Sequence, residues 1–338
     1  MKLVIPGGSG QVGGMLRRAL AGRGHQVVVL TRKPTRDFEV QWDGRTLGAW
    51  VEELEGCDAV VNLAGRSVSC RYNEANLREM MDSRVHTATL VGQAIAQCSR
   101  PPKAWLQMST ATIYAHRFDA PNDEAHGRIG GAEPEVPRYW EFSVRIAREW
   151  ERAQAEAETP AGTRKVALRS AMVMSPDRGG VFDYLSWLAR LGLGGPVAGG
   201  SQYVSWIHEH DFVRAVEFLI SRDDLCGPVN LAAPVPLPQR DLMRALRRAW
   251  HVPVGLPVTT WMAEIGAFLL RSDTELLLKS RRVIPERLLD AGFEFEFCAW
   301  QDAVGELVSR RRQLPSGESP TRVGGSPRSA ATRARVEG

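Results

Sequence analysis

A chain of 338 residues with 43% apolar side chains has material for one large α/β domain, or for a domain with a smaller lobe, and a core to fill it. The net charge of +4 is gathered at the end: from Ser309 onward seven arginines face two glutamates, which leaves the rest near −1, too balanced for a nucleic-acid footprint. No apolar run reaches the roughly 18 residues that span a bilayer, and the first strand begins without a signal peptide. Five cysteines, Cys57, Cys70, Cys98, Cys226 and Cys298, lie far apart with no C-x-x-C or Cys/His cluster. The expectation is a reduced, cytoplasmic protein with neither disulfides nor a metal.

Residues 1–6 (MKLVIP) read as a short buried strand. The run Gly7-Gly8-Ser9-Gly10-Gln11-Val12-Gly13-Gly14 turns it into a helix reaching about Ala21, and residues 26–30 (QVVVL) form a second apolar strand. The glycines fit two registers, Gly8-x-Gly10-x-x-Gly13 and Gly7-x-x-Gly10-x-x-Gly13. Both put residues without Cβ where backbone must approach a pyrophosphate, under the positive end of the helix dipole. Position between a strand and a helix makes the triplet a dinucleotide site. An NAD site usually carries Asp or Glu at the end of the second strand to bind the ribose 2′-hydroxyl. Thr31, Arg32 and Lys33 stand there instead, and a hydroxyl with two cations suits a 2′-phosphate, so the expected cofactor is NADP(H).

Residues 39–42 could add a third strand, 47–54 a short amphipathic helix, and 58–65 (DAVVNLAG) another parallel strand that breaks at Gly65. A long helix is expected over 73–97 and a strand over 104–108, ending in the hydroxyl-bearing Ser109-Thr110-Ala111-Thr112-Ile113-Tyr114. The Pro- and Gly-rich loop 117–138 has the length of a functional loop. A charged helix over 141–157 and a strand over 166–169 follow. The fold class is α/β, a Rossmann-type doubly wound parallel sheet with a small C-terminal substrate lobe.

These residues resemble the extended short-chain dehydrogenase/reductases, which include nucleotide-sugar epimerases. The marks occur in the family's order: the 7–13 turn, Asn62-Leu63-Ala64-Gly65, the 109–114 segment, and Trp206-Ile207-His208-Glu209-His210-Asp211. A narrower likeness is to the branch labelled epimerase family protein, whose bacterial members have also been called SulA-like cell-division inhibitors. It rests on Leu191-Gly192-Leu193-Gly194-Gly195-Pro196, Trp206-Ile207-His208, Arg282-Val283-Ile284-Pro285 and Ala291-Gly292-Phe293, and covers about residues 1–305. The resemblance implies that Gly7, Gly8, Ser9, Gly10, Gln11, Val12 and Gly13, Thr31 with Arg32, and Leu63 with Ala64 line the NADP(H) site. It also implies that Glu79 and Arg84, on the following helix, complete it.

Active members of that superfamily use a Tyr-x-x-x-Lys pair on one helix face to move a proton, and a Ser or Thr to orient the carbonyl. Thr110 matches the hydroxyl, with Ser109 beside it. The pair is absent: Tyr139 is followed four residues later by Ser143, and the register set by Trp150-Glu151 puts Phe142 and Ile146 in its place. Arg145 stays protonated and could hold only an anion. Tyr114 and Tyr139 are left as candidate proton donors.

The expected division is a NADP(H)-binding domain over 1–172 with a returning segment near 204–232, a substrate lobe from 173–203 and 233–305, and a disordered basic tail over 313–338. His208, Glu209 and His210 lack H-E-x-x-H spacing, so no zinc site is read there, and Asp211 is expected to cap the helix over 212–220. The apolar stretch 259–270 suits lobe packing or a homodimer surface. The chain then reads as an oxidoreductase or nucleotide-sugar epimerase acting on a small molecule. The alternatives are a non-catalytic NADP(H) redox sensor and, ranked last, a cell-division regulator.

Overall fold

A computed structural model describes residues 1–68, 70, 72–133, 136–137, 139–259 and 275–314. In chain order the strands are β1 (Lys2–Pro6), β2 (Gln26–Thr31), β3 (Glu39–Gln41), β4 (Ala59–Asn62), β5 (Ala104–Thr110), β6 (Arg164–Ser170), β7 (Met172–Met174), β8 (Tyr203–Val204), β9 (Trp206–His208), β10 (Gly227–Leu231) and β11 (Leu237–Pro238). The longer helices are α1 (Gln11–Gly22), α2 (Glu74–Ala96), α3 (Tyr139–Ala155), α4 (Val181–Arg190), α5 (Glu209–Ser221), α6 (Gln239–Ala249) and a last one over Trp300–Gln313.

Seven strands form one sheet in the order β10-β6-β5-β4-β1-β2-β3, and every pairing in it is parallel. The apolar runs explain why: strands buried on both faces need no polar side, and helices must then cover both. Successive side chains divide between two cores. Leu3, Ile5, Ala59, Val61 and Leu106 pack with α1 and α5, while Val4, Val28, Val60 and Trp105 pack with α2 and Trp150 of α3. Strand order reverses between β1 and β4, and a doubly wound sheet opens its ligand crevice at the carboxyl ends of such a pair.

The second layer of structure grows from the end of β6. Strand β7 pairs in parallel with β9, and β8 runs antiparallel to β11. A separate core gathers Met174, Phe182, Trp206, Leu242, Trp300 and Leu307. Trp206 and Trp300 meet edge to face at 5.0 Å, and the Trp300 indole N–H donates to the Leu242 carbonyl at 3.0 Å. Between them, α5 and β10 return to the main sheet, so the chain crosses between the two cores more than once.

The cap of α5 differs from expectation. His208 holds that position, its Nδ1 accepting from the His210 amide at 3.1 Å. Asp211 lies inside the first turn, fully buried, and accepts the backbone N–H groups of Glu296 and Phe297, each at 2.9 Å, as well as Arg214 at 3.0 Å. An imidazole nitrogen can cap as a carboxylate does, and a buried carboxylate is stable where amides converge on it. The expected helix at 47–54 is a 3-10 turn over Ala49–Leu54. Residues 260–270 of the apolar stretch and the tail beyond 314 lie outside the described residues. Among the described residues no helix is long and apolar enough to cross a membrane.

His208 is 1% exposed, stacks on Phe297 at 3.9 Å, and its Nε2 meets Glu306 at 2.9 Å. Burial lowers its pKa below the ordinary 6.5, outweighing the pull of Glu306. The folded state therefore protonates His208 only at a lower pH than the unfolded chain, which takes up a proton below about pH 6.5, so stability falls on acidification from there until the folded imidazole also charges. His208→Gln is expected to flatten the slope of melting temperature against pH between about 7 and 5; an unchanged slope would refute the assignment.

Candidate functional site

Gly7 ends β1 at φ +73°, a conformation that favours glycine, and a Cβ there would stand 2.6 Å from the Ala64 Cα. A Cβ on Gly13 would come within 2.4 Å of the Gly8 Cα. These two glycines let the turn close against β4 and α1 close against the turn. Gly10 is different: the nearest atom to a Cβ there is the Gly7 carbonyl oxygen at 3.8 Å, so its front is open. Gly10 is also the N-cap of α1 and no side chain caps that helix. Among the described residues the buried Gln11 Nε2 has no hydrogen-bond partner. That amide packs against Gly180; the uncapped helix start and the open glycine are what fit an acceptor-rich ligand such as a pyrophosphate.

At the end of β2, Thr31 is buried and its hydroxyl donates to Ser9 Oγ at 3.3 Å, tying strand end to turn. Arg32 and Lys33 are exposed, and neither makes an ion pair among the described residues. The next strand end is held by Asn62, fully buried, which donates to Gln107 Oε1 at 2.9 Å and accepts the Ala64 amide at 3.0 Å. The Leu63 amide donates to the Pro6 carbonyl at 2.9 Å. Leu63 and Ala64 are thereby brought across Gly7.

Glu79 and Arg84, five residues apart on α2, both reach Arg66 of the loop after β4. Glu79 is 64% exposed and ion-paired with Arg66. Arg84 is buried, donating to the carbonyls of Met80 at 2.9 Å and Arg66 at 3.0 Å, with its guanidinium 5.0 Å over the Trp150 ring. Burial draws its pKa down to about 10. Its visible work is to hold the loop after β4 from beneath.

On the reaction side, Thr110 closes β5 and its Oγ1 accepts the Thr112 amide at 3.1 Å. Ser109 and Tyr114 belong to a buried network instead. Ser109 donates to Glu151 at 2.6 Å; Arg169 grips both Glu151 oxygens at 2.9 and 2.8 Å and donates to the Tyr114 hydroxyl at 2.9 Å; that hydroxyl donates to Asn230 at 2.9 Å. Tyr114 is 2% exposed, and burial raises its pKa. Both of its hydrogen-bonding directions are used inside the wall, so it is not placed as a proton donor to the crevice. Tyr139 opens α3, but its side chain lies outside the described residues. Phe142 sits under the Arg145 guanidinium at 4.6 Å, and Ile146 is buried.

The C-terminal segment also reaches this turn. Lys279 Nζ donates to the Thr112 carbonyl at 2.8 Å, Arg281 Nε donates to Thr112 Oγ1 at 3.0 Å, and the Ser143 hydroxyl of α3 donates to Glu275.

Residues 3–232 match the model of the NAD dependent epimerase/dehydratase family, and residues 258–307 match a domain of unknown function, DUF1731. The chain belongs to the NAD dependent epimerase/dehydratase family. It is 31% identical over 314 residues to epimerase family protein SDR39U1 of Bos taurus, covering 91% of this chain and 100% of that one. Identity to the Homo sapiens protein is 30% over 313 residues, with the same coverage. The crystal structure of human SDR39U1 (isoform 2) with NADPH superposes with a TM-score of 0.79 at 28% identity, covering 91% of this chain and 99% of that one. UDP-N-acetylglucosamine 4-epimerase from Bacillus cereus shares the fold, with a TM-score of 0.72 at 14% identity over 94% of this chain and 99% of that one.

The family's Rossmann-type parallel sheet is the one read from the sequence. Two features of this family member were not. The Asn62–Gln107 pair had a signal, since each is a lone amide inside an apolar strand, and a buried amide needs a partner. Glu275, Lys279 and Arg281 had none, because more than a hundred residues separate them from Ser143 and Thr112.

Proposed function

We propose that the chain binds NADP(H) across the Gly7–Gly13 turn and works as an oxidoreductase or epimerase on a small carbonyl or alcohol, with nucleotide-linked sugars among the candidate substrates. The observation that carries the cofactor choice is the end of β2, where Arg32 and Lys33 stand exposed and no carboxylate takes the place of the ribose-binding acid. Gly10 and the start of α1 would receive the pyrophosphate, and Arg32 would hold the 2′-phosphate. Leu63 and Ala64, fixed by Asn62, would form the adjoining floor. Bound there, the cofactor supplies or accepts hydride. Among the described residues the Thr110 hydroxyl oxygen accepts from Thr112 and its proton has no acceptor, which leaves it to orient a carbonyl oxygen.

Arg32→Glu tests the cofactor assignment. It is expected to weaken NADPH binding by about 10- to 100-fold, the size of a charge-assisted hydrogen bond of about 1.5–3 kcal/mol, while leaving NADH binding unchanged. Equal losses for both would count against it. Reaction is tested by NADPH oxidation with a panel of aldehydes, ortho-quinones and keto sugars, and by epimerisation of nucleotide sugars. A second reading, a non-catalytic NADP(H)-dependent redox sensor, is favoured by the missing Tyr-x-x-x-Lys pair on α3. Its mark would be no turnover anywhere in the panel, with a partner interaction that responds to NADPH and survives Thr110→Ala.

A further inference from the structure

Hydride transfer to a carbonyl leaves an oxygen that must gain a proton. Helix α3 offers no Tyr-x-x-x-Lys pair, and Tyr114 is locked in the wall. The C-terminal segment brings a different set of groups to the turn after Thr110. Lys279 has its side chain 1% exposed and stands 3.5 Å from Glu275 Oε1, one helical turn earlier. Its Nζ donates to the carbonyl of Thr112, whose amide in turn donates to Thr110 Oγ1. The other Glu275 oxygen accepts the hydroxyl of Ser143, which lies half-buried on α3. Ammonium, carboxylate and hydroxyl therefore follow one another from the buried interface to α3, where Ser143 stands beside Phe142, the residue at the place of the superfamily's tyrosine.

We propose that Ser143, Glu275 and Lys279 form a proton relay that replaces the absent pair, an inference that rests on the carbonyl-reduction reading above. As the carbonyl carbon gains hydride and its π electrons move onto oxygen, that oxygen takes the Ser143 proton. Ser143, whose proton turns from Glu275 to that oxygen, takes one back through Glu275 from Lys279. The lysine is left as a neutral amine and, being 1% exposed, regains its proton by the reverse route through Glu275 and Ser143 once product has left. Oxidation of an alcohol runs each transfer backwards. Ser143 is the group that would touch substrate; Glu275 and Lys279 act through it.

A lysine kept only as an anchor would hold its charge. Here burial outweighs the attraction of Glu275, and Arg281 adds a like charge, which together bring Lys279 down to about 8. The other acid facing it, Glu133, already accepts the amides of His116 at 2.7 Å and Gly131 at 2.6 Å. At pH 7 the lysine is thus protonated and close to the point of releasing its proton.

The chain holds five lysines, so ε-15N-lysine labelling of the full protein gives few side-chain signals, and Lys279→Arg assigns the one that matters. Lys279 is expected to titrate near pH 8, and Glu275→Gln to lower that midpoint. With phenanthrenequinone as the carbonyl, kcat of the unaltered protein should fall above that pH. Lys279→Arg keeps the charge and the anchor but cannot release a proton; it should lose about 100-fold in kcat, with NADPH affinity and melting temperature retained. Ser143→Ala removes one hydrogen bond from Glu275 and should show the same kcat loss, with Lys279 still titrating. A Lys279 that stays charged to about pH 10, or a Lys279→Arg protein that turns over at the original rate, overturns the relay. Failure of the reduction reading looks different: the unaltered protein oxidises no NADPH at any pH, and the relay falls with the reading it rests on, whatever Lys279 titrates at.

Discussion

Gly10→Ala is expected to leave the fold intact and to weaken NADPH binding on the order of 100-fold, about 2.7 kcal/mol. The reason lies in how the three turn glycines differ. An alanine methyl at Gly10 meets nothing closer than the Gly7 carbonyl oxygen at 3.8 Å, so the protein itself has room for it. That same space is where a pyrophosphate must approach the first N–H groups of α1. Gly7→Ala and Gly13→Ala should behave differently, because their methyl groups would meet backbone at 2.6 and 2.4 Å. Each should cost about 1–3 kcal/mol of stability from overpacking, and Gly7→Ala should add the strain of a positive φ. Thermal melting with and without NADPH separates the cases. A Gly10→Ala protein that bound NADPH at the original affinity would remove the phosphates from this turn.

Arg169→Met should be the most damaging single change to stability among the wall residues, costing about 3–5 kcal/mol. Arg169 and Glu151 are 9% and 14% exposed, and the arginine fills both carboxylate oxygens. Removing the cation strands a desolvated carboxylate, together with the Tyr114 hydroxyl and Ser109 that lean on the pair. The double variant Arg169→Met, Glu151→Leu should recover most of the loss, since replacing both charges by apolar groups removes the desolvation cost as well. Urea denaturation of the three variants measures this. A double variant no more stable than Arg169→Met would show that the charges are not what the network depends on. Activity should follow stability in this series, because the network supports Thr110 from behind and does not enter the crevice.

The sheet was legible from local signals alone. Apolar runs at 1–6, 26–30 and 58–65 can be nothing but buried strands once glycine breaks them, and β1, β2 and β4 lie where those runs fall. The opening turn was legible for the same reason, since Gly7 and Gly13 are demanded by backbone contacts within sixty residues. Legibility failed where a role depends on a distant partner. Tyr114 resembles a proton donor in sequence, but Asn230 and Arg169, far along the chain, take its hydroxyl. Asp211 resembles a cap, but Glu296 and Phe297 claim its carboxylate. Glu79 and Arg84 carry no local signal for a cofactor role, which only the family resemblance implies; what the structure shows of them is their contact with Arg66.

The most direct measurement is a pair of calorimetric titrations of the full protein, with NADPH and with NADH, repeated on Arg32→Glu. Tighter binding of NADPH than NADH, by about tenfold or more (~1.4 kcal/mol), with the difference erased in the variant, is the expected result. Equal affinity for the two cofactors in the unaltered protein, or a preference untouched by Arg32→Glu, would contradict the placement of a 2′-phosphate at the end of β2.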